Sequence, residues 1–172
     1  MKKVLAFLFV SVILLISGAC TKTIPITVPA TPTITTPLQP GDLANHPWIL
    51  TAYGDPTNMT NVLSNWKDIT LSFNGTLDRY NGSDGVNYYG GACHIENDNS
   101  IVMAITTLTQ VGYFDNPRGI IKQIQTYYDL LLKAKTLNID NHELVIYCSN
   151  GQALHFIMAI PLPGGFYLTP VR

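Results

Sequence analysis

The sequence predicts an α+β fold that is mostly antiparallel β, with a curled sheet or cracked β-barrel of about seven or eight strands and one amphipathic helix packed on it. Apolar and polar residues alternate over short stretches, as at 69–73, where Ile69, Leu71 and Phe73 share one side. Turn-forming residues such as Asn74-Gly75 separate these stretches. One longer stretch after residue 117 has helical spacing instead.

Strands are predicted along most of the chain from residue 46 onward. A polar loop is predicted at 54–65, a glycine-rich corner at 81–85, and a tight turn at Asn150-Gly151. The β-branched run at 101–108 suits a strand that is buried on both faces. The other predicted strands lie at 48–53, within 68–93, and at 136–139, 143–148, 152–158 and 166–168.

One helix is predicted, beginning near Pro117. Asp115 or Asn116 can cap it, and a proline in the first turn loses no hydrogen bond. Burial of its apolar stripe, at ~1.5–3 kcal/mol for each side chain, makes the helix part of the core. A membrane-surface helix is disfavoured because the polar face has few cations. The stripe consists of Ile120, Ile121, Ile124, Tyr127, Tyr128 and Leu131.

The charge balance disfavours nucleic acid as a partner. Charged residues make up 12% of the chain, which is about half of the usual share. Without Lys2 and Lys3, which belong to the leader, eight basic residues stand against eleven acidic ones, a net charge of −3. The sequence therefore contains no basic patch on which a nucleic acid could bind.

Residues 1–20 have the layout of a secretory signal peptide: two lysines, an apolar run from Val4 to Ile16, and small residues before Cys20. The run is shorter than the ~20 residues of a membrane-spanning helix. The ending Ser-Gly-Ala-Cys resembles a prokaryotic lipobox, although Ser17 stands where that pattern usually has leucine. We therefore expect a diacylglyceryl anchor on Cys20. Secretion without a lipid is the alternative.

Residues 21–45 have the composition of a tether. Five prolines fix φ, and the threonines between them keep the segment soluble. Such a segment favours extended polyproline II, which reaches at most ~3.1 Å per residue. It would hold a domain, predicted at 46–172, away from a membrane. A disordered N-terminus with no required length is the alternative.

The order of the predicted elements resembles the META domain family, which includes HslJ-like lipoproteins, over residues 48–158. The resemblance implies a small β-rich domain with one helix, an envelope location and no established catalytic site. Val86 and Tyr113 stand where the family commonly has cysteines, so chemistry based on that pair is not expected. The matching features are Trp48-Ile49-Leu50, the 69–73 strand, Gly82-x-x-Gly85-x-Asn87-x-Tyr89-x-Gly91, Thr106, Thr107, Thr109, the helix, Leu144, Ile146, Leu154 and Phe156.

Two cysteines remain in the domain, Cys93 and Cys148. Exported proteins meet oxidising surroundings, and cysteines on neighbouring strands can pair, so a disulfide is expected. Its loop closure would stabilise the fold by ~4 kcal/mol. The alternative is two buried free thiols that pack as small apolar side chains.

Four tyrosines beside the glycine-rich corner are candidates for a binding surface: Tyr80, Tyr88, Tyr89 and Tyr113. Exposed aromatic rings at such a corner could hold a peptide, a glycan or a lipid tail. The alternative is that they form cross-strand pairs that stabilise the sheet.

No metal or cofactor site is predicted. Asp78, Asp84, Glu96 and Asp98 lack the spacing of a calcium loop, and turn formation explains them better. The histidines are too scattered to suggest zinc. N-glycosylation sequons occur at three positions, whose use depends on the source organism. The histidines are His46, His94, His142 and His155, and the sequons begin at Asn58, Asn74 and Asn81.

We therefore expect a non-catalytic, monomeric extracytoplasmic protein, anchored to the membrane, that binds an envelope protein, peptide or lipid or supports an envelope stress response. The alternative is a carrier or pilot module that holds an acyl chain or amphipathic helix in an apolar crack beneath Ile120, Ile124 and Tyr128. An enzyme would need convergent acid–base groups, which the sequence does not indicate.

Overall fold

The computed structural model describes residues 38–44, 46–63, 67–112, 119–161 and 167–168. They form a nine-stranded sheet, a two-stranded sheet and two helices, which confirms the predicted α+β class. In chain order the elements are α1 (Pro40–Leu43), β1 (Trp48–Asp55), β2 (Asn58–Asn61), β3 (Thr70–Phe73), β4 (Arg79–Ser83), β5 (Tyr88–Ile95), β6 (Ile101–Leu108), α2 (Ile120–Leu131), β7 (Ala134–Asp140), β8 (Glu143–Cys148), β9 (Ala153–Met158), β10 (Ile160–Pro161) and β11 (Tyr167–Leu168).

The large sheet is antiparallel and has the order β6-β5-β4-β3-β1-β9-β8-β7, with β2 paired only to β1. Its edge strands β6 and β7 approach each other at one end, where Ser100 and Thr136 form a single bridge. There the Leu137 N–H donates to the Asn99 carbonyl at 3.0 Å. The sheet is thus curled and cracked, and it does not close into a barrel.

The core consists of the inward faces of the strands and one face of α2. Ile69 and Leu71 are fully buried, as the alternating pattern predicts. The helix stripe is confirmed at Ile120 and Ile124, while Ile121 is 47% exposed. The expected capping residues 115–117 lie outside the described residues. Within them, the helix begins after Gly119, whose φ of 95° suits glycine.

The predicted polar loop at 54–65 is instead a hairpin. β1 continues to Asp55, and β2 returns along it from Asn58. The Asp55 carboxylate accepts hydrogen bonds from the Thr57 N–H at 2.8 Å and the Thr57 hydroxyl at 2.7 Å. This Asx turn, with Pro56 in its centre, joins the two strands. The additional strand β2 carries mostly polar residues, so the hydrophobic pattern did not reveal it.

The turn at Asn74-Gly75 is longer than a two-residue hairpin. The pairing with β3 resumes at Tyr80, opposite Phe73, and Leu77, not Gly75, has a positive φ, of 55°. The Asn74 side-chain oxygen accepts from the N–H groups of Asp78 at 3.2 Å and Arg79 at 3.0 Å. The Asn74 side chain thus spans the turn and stabilises its longer loop. Asn74 and Gly75 do not need the positive φ angles of a two-residue Asn-Gly hairpin.

The burial of β6 and the start of the packed domain also differ from the sequence prediction. β6 has the predicted limits but only one buried face, since Val102 is 69% exposed on the other. The packed domain includes part of the expected tether: Leu43 in α1 is fully buried, and the Trp48 indole donates to its carbonyl at 3.2 Å. Described packing therefore begins by Leu38, whose N–H donates to Asn99.

Candidate functional site

The corner between β4 and β5, here called the Gly82–Gly91 corner, carries the motif that the sequence singled out. Asp84 at its centre is fully buried. Its carboxylate accepts hydrogen bonds from the N–H groups of Val86 at 2.8 Å and Asn87 at 2.6 Å. The Tyr128 hydroxyl of α2 donates to it at 2.9 Å. The carboxylate thus holds the corner together and attaches it to the helix.

The other motif residues also have structural partners. The Asn87 side-chain oxygen accepts from the Val111 N–H at 2.7 Å and from the Thr109 hydroxyl at 3.2 Å, which attaches the corner to the end of β6. A Cβ at Gly82 would overlap the Thr70 carbonyl, and one at Gly91 would overlap the Ala104 carbonyl. These glycines are therefore required by close backbone approach.

The predicted tyrosine surface is wrong for two of its members. Tyr80 and Tyr89 are each only 3% exposed and belong to the core. The Tyr89 hydroxyl donates to the Thr70 carbonyl at 2.6 Å and is also hydrogen-bonded to Tyr127. Burial raises the pKa of Tyr80 to about 12 and that of Tyr89 well above its usual value, so both are neutral at physiological pH.

Of the remaining two predicted tyrosines, Tyr88 is exposed and Tyr113 is not described. Tyr88 is 72% exposed, next to Leu108, which is partly exposed on β6. Tyr113 lies outside the described residues. Since strand residues alternate between faces, Tyr88 and Tyr89 point to opposite sides of the sheet, and only Tyr88 can contribute to a surface. Tyr80 and Tyr89 instead pack on each other, with ring centroids 6.2 Å apart. This is the alternative in which the tyrosines stabilise the sheet.

The expected disulfide is also wrong, because Cys93 lies on β5 and Cys148 on β8, which are not neighbours in the sheet. Both cysteines are buried free thiols. Each thiol donates to a carbonyl of its own surroundings, Leu77 for Cys93 and Leu130 for Cys148, both at 3.3 Å. Burial raises the pKa of each to about 11, so both remain protonated and unreactive near neutral pH.

The acidic residues considered for calcium lie in three places: Asp78 follows β3, Asp84 is in the corner, and Glu96 and Asp98 share the turn between β5 and β6. Asp78 accepts from Asn74 at 2.6 Å, Asp98 accepts from the Ser100 N–H at 3.0 Å, and Glu96 contacts His94 at 2.7 Å. Their structural roles are those of turn residues, as the sequence favoured. In the described part of the chain, no group of three or more histidine, cysteine or acidic side chains could hold a metal ion.

A second polar region, which the sequence did not indicate, is a cleft between the β1–β2 hairpin and the first turns of α2. We call it the hairpin–helix cleft, and its volume is about 430 Å³. Most of its lining residues are polar, and its charged groups are Asp55 and Lys122. The residues used below are Tyr53, Asp55, Lys122, Gln123, Thr126 and Gln152.

Gln123 is the unusual residue of this cleft. It is only 2% exposed, and its side-chain oxygen accepts from the Leu63 N–H at 2.8 Å. Its amide nitrogen Nε2 has no hydrogen-bond partner in the described part of the chain. Buried polar groups are almost always paired, so such a nitrogen requires an explanation. The sequence did contain a signal, because Gln123 is a polar residue within the apolar helix stripe.

Lys122 lies beside Gln123 and is the third residue of α2. No acidic residue lies in the first turn, and no side chain caps the helix within the described residues. The N-terminal end of a helix favours negative charge and disfavours a lysine. On the opposite wall, Asp55 has a lowered pKa because it accepts hydrogen bonds from Thr57, so it is ionised at neutral pH. The cleft can thus present donors on one wall and a carboxylate on the other.

The carrier interpretation places an apolar crack beneath α2. Ile120 and Ile124 are buried there as members of the core cluster, together with Trp48 and Phe156. Tyr128 is hydrogen-bonded to Asp84. An acyl chain could reach this position only if α2 moved away from the sheet.

Within the described residues, no helix combines the length and apolar character needed to cross a membrane.

Comparisons with known proteins give the fold. No family model matches the chain, and no curated protein matches it. Among solved structures, a protein from Burkholderia xenovorans determined by NMR aligns with a TM-score of 0.55 and 19% identity, over 72% of this chain and 90% of that protein. The likeness shows the fold alone.

Two further solved structures are similar. A crystal structure of a DUF4847 family protein from Bacteroides vulgatus has a TM-score of 0.50 and 10% identity, with 67% of this chain and 93% of that protein covered. A further NMR structure has a TM-score of 0.51 and 15% identity, with 70% and 95% covered. At these identities no ligand or activity transfers to this chain.

Proposed function

We propose that the chain is a non-catalytic, META-like binding protein of the cell envelope, held at the membrane by a lipid on Cys20, and that its ligand occupies the hairpin–helix cleft. The lipobox-like leader and the resemblance over residues 48–158 support the anchoring and the family. The curled sheet with one long helix is compatible with both.

The opposite charges of Asp55 and Lys122 in a cleft of about 430 Å³ are the observation on which the choice of site rests. A concave site with a few polar and charged groups is the usual setting for a small polar ligand. The Gly82–Gly91 corner offers no comparable opportunity, because the Asp84 carboxylate already accepts three close hydrogen bonds. The cleft therefore has a reason to bind a polar molecule, and the corner does not.

Ligand mapping tests the site. The ¹⁵N-labelled full chain in detergent micelles would be titrated with alanine, glucose and ethanolamine as small polar probes. We expect saturable amide shifts in the β1–β2 hairpin, the first turns of α2 and Gln152. Thr126→Phe, which fills the cleft, should abolish them, whereas Thr106→Phe on exposed β6 should not. Shifts centred on Tyr88 and Leu108, or unchanged binding by Thr126→Phe, would overturn the proposed site.

The anchor has its own test, the intact mass of the protein from its native membrane. A chain that begins at Cys20 and carries a diacylglyceryl group is expected. An unmodified mature chain, or an uncleaved leader, would contradict the lipid anchor. The assignment of the cleft would be unaffected, because it depends on residues of the folded domain.

A further inference from the structure

We infer that the outer edge of β6 binds a second copy of the chain by strand pairing, with residues 102–106 of the two copies antiparallel. The inference departs from the monomer expected from the sequence, and it is independent of the hairpin–helix cleft. Within the described residues, β6 lies at one end of the large sheet, pairs with β5 and is joined to β7 by the bridge at Ser100. Beyond that bridge its other side is an open edge, whose unpaired backbone groups suit another strand.

The direction of the β6 backbone shows which groups face the open edge. The Glu96 N–H donates to the Ser100 carbonyl at 2.9 Å, so that carbonyl points towards β5. The register with β5 is regular from Ile101 to Ile105. Successive residues of a strand direct their backbone groups to alternate sides. The N–H and carbonyl groups of Met103 and Ile105 therefore point outward, away from β5.

β6 is less protected against strand pairing than the other border strands of this sheet. Natural edge strands are usually short or carry charges or prolines. β7, at the opposite end of the sheet, carries Lys135 and Asp140, and β2 has only 4 residues. β6 has 8 residues without a charge or a proline. Its one irregularity is the bulge at Thr106, which leaves the preceding residues regular.

Exposed apolar side chains are concentrated near this edge. Seven large apolar residues are exposed in the described part of the chain, and four of them lie on β5, on β6 or just after β6. These four are Tyr88, Val102, Leu108 and Val111. Exposed apolar surface of this kind is typical of a region that a protein partner covers.

The absence of charge on β6 favours a second copy as that partner. The chain without its leader lysines has a net charge of −3, so two copies repel each other in general. An uncharged edge is where they can approach with the least repulsion. Like charges directly opposite each other destabilise a sheet, and a pair of β6 strands contains none.

A two-fold axis at Ala104 gives the pairing a definite register. Around such an axis each residue lies opposite a residue of the same strand. Met103 of one copy then exchanges backbone hydrogen bonds with Ile105 of the other, which uses the outward-pointing groups of both. Val102 lies opposite Thr106, and the two Ala104 side chains face each other on the exposed side of the sheet.

Sedimentation and amide hydrogen exchange test the inference on the ¹⁵N-labelled full chain, with detergent micelles in excess over chains. We expect a dimer, with the Met103 and Ile105 amides exchanging at least about ten-fold more slowly in it than in the monomer obtained by dilution. The Ile139 amide, which faces the outer edge of β7, is the control and should not change. A monomer at every concentration, or a dimer that protects Ile139 instead, would overturn the inference.

Matched charge variants complete the test. Ala104→Lys and Asn58→Lys each add a cation at an exposed position of a border strand, on β6 and β2 respectively. We expect only Ala104→Lys to weaken association, by about ten-fold or more, because two ammonium groups then face each other at the axis. An equal mixture of Ala104→Lys and Ala104→Glu should associate again. Unchanged association of Ala104→Lys, or no recovery in the mixture, would contradict pairing of β6 with itself.

Discussion

The Gly82–Gly91 corner and the hairpin–helix cleft both involve residues of α2, but their buried polar groups differ in hydrogen bonding. In the corner, the fully buried Asp84 accepts hydrogen bonds from Val86, Asn87 and Tyr128. In the cleft, the buried Gln123 leaves a donor without a partner, and Lys122 lies at the helix end that disfavours it.

This difference separates a structural motif from a candidate site. The corner contains the conspicuous residues of the sequence, yet its glycines, Asp84 and Asn87 all serve the connection between strands and helix. The side chains of Asp84 and Asn87 are already hydrogen-bonded within the fold. The cleft has no recognisable motif. Two of its residues are placed unfavourably for stability: Gln123 has an unpaired buried amide nitrogen, and Lys122 lies in the first turn of a helix. Functional sites are often places where stability is lost in this way.

The largest effect that would distinguish the two regions is expected from Asp84→Ala. It leaves the N–H groups of Val86 and Asn87 and the Tyr128 hydroxyl without their acceptor in a buried place. We expect a loss of about 3–5 kcal/mol in the free energy of unfolding. Urea unfolding measures it, with Asp98→Ala in an exposed turn as the control. A loss below ~1 kcal/mol would show that the corner does not depend on this carboxylate.

Gly91→Ala should have the next largest effect. The added Cβ would overlap the Ala104 carbonyl of the neighbouring strand, so the β5–β6 pairing must shift. The expected loss is about 1–3 kcal/mol. Gly75→Ala is the matched control, because nothing lies within 4 Å of its added Cβ. If the two variants unfold at the same urea concentration, close packing does not explain the motif glycine.

Alkaline pH should lower stability through the buried thiols. Burial raises the pKa of Cys93 and Cys148 from 9.0 to about 11, so folding favours the neutral form. This contribution is complete below the unfolded pKa and is lost as pH rises from 9 towards about 11. Urea unfolding at several pH values should show a decline in this window.

A Cys93→Ala/Cys148→Ala variant should show a shallower decline over the same window, because the contribution of the thiols is removed while that of the buried tyrosines, which begins above pH 10, remains. Reductant should leave the unfolding midpoint of the natural chain unchanged, because both thiols are free. A lower midpoint in reductant would reveal a disulfide and contradict the structure.

The smallest effect on stability is expected from Lys122→Glu. Its direction is informative, because this variant should gain stability where the others lose it. A negative charge at the third helix residue suits the helix dipole, so the variant should be more stable by about 0.3–1 kcal/mol. Binding of alanine should be weakened, because the cleft would then carry two carboxylates and no cation. Thermal unfolding and the NMR titration give the two values. A destabilised variant would indicate that Lys122 has a structural role.

The sequence was sufficient for the parts of the fold that depend on local pattern. The alternation at 69–73, the turn at Gly151 with φ of 80°, and the helix stripe at Ile120 and Ile124 all appear as predicted. It was insufficient where a polar segment pairs with a strand, as in β2, because hydrophobic periodicity does not mark such a strand. The disulfide prediction was wrong because strand order, which separates β5 from β8, is a long-range property.

The candidate site was less predictable than the fold. Alternation along a strand could have separated exposed Tyr88 from buried Tyr89. Tyr80 packs on Tyr89, whose ring packs on Tyr127 of α2, and these contacts join residues far apart in the chain. Gln123 was visible as a polar residue in an apolar stripe. Its meaning depends on Leu63, 60 residues away in the chain, whose N–H fixes the amide orientation. No local pattern contains that contact.

The contrast between the two regions is tested most directly by measuring stability and alanine affinity on the same samples of Gly91→Ala and Lys122→Glu. We predict that Gly91→Ala loses stability and, while folded, keeps its affinity. Lys122→Glu should keep or gain stability and bind alanine more weakly. If both quantities fall together in each variant, or if Lys122→Glu binds as well as the natural chain, then the corner and the cleft are not separate structural and binding regions.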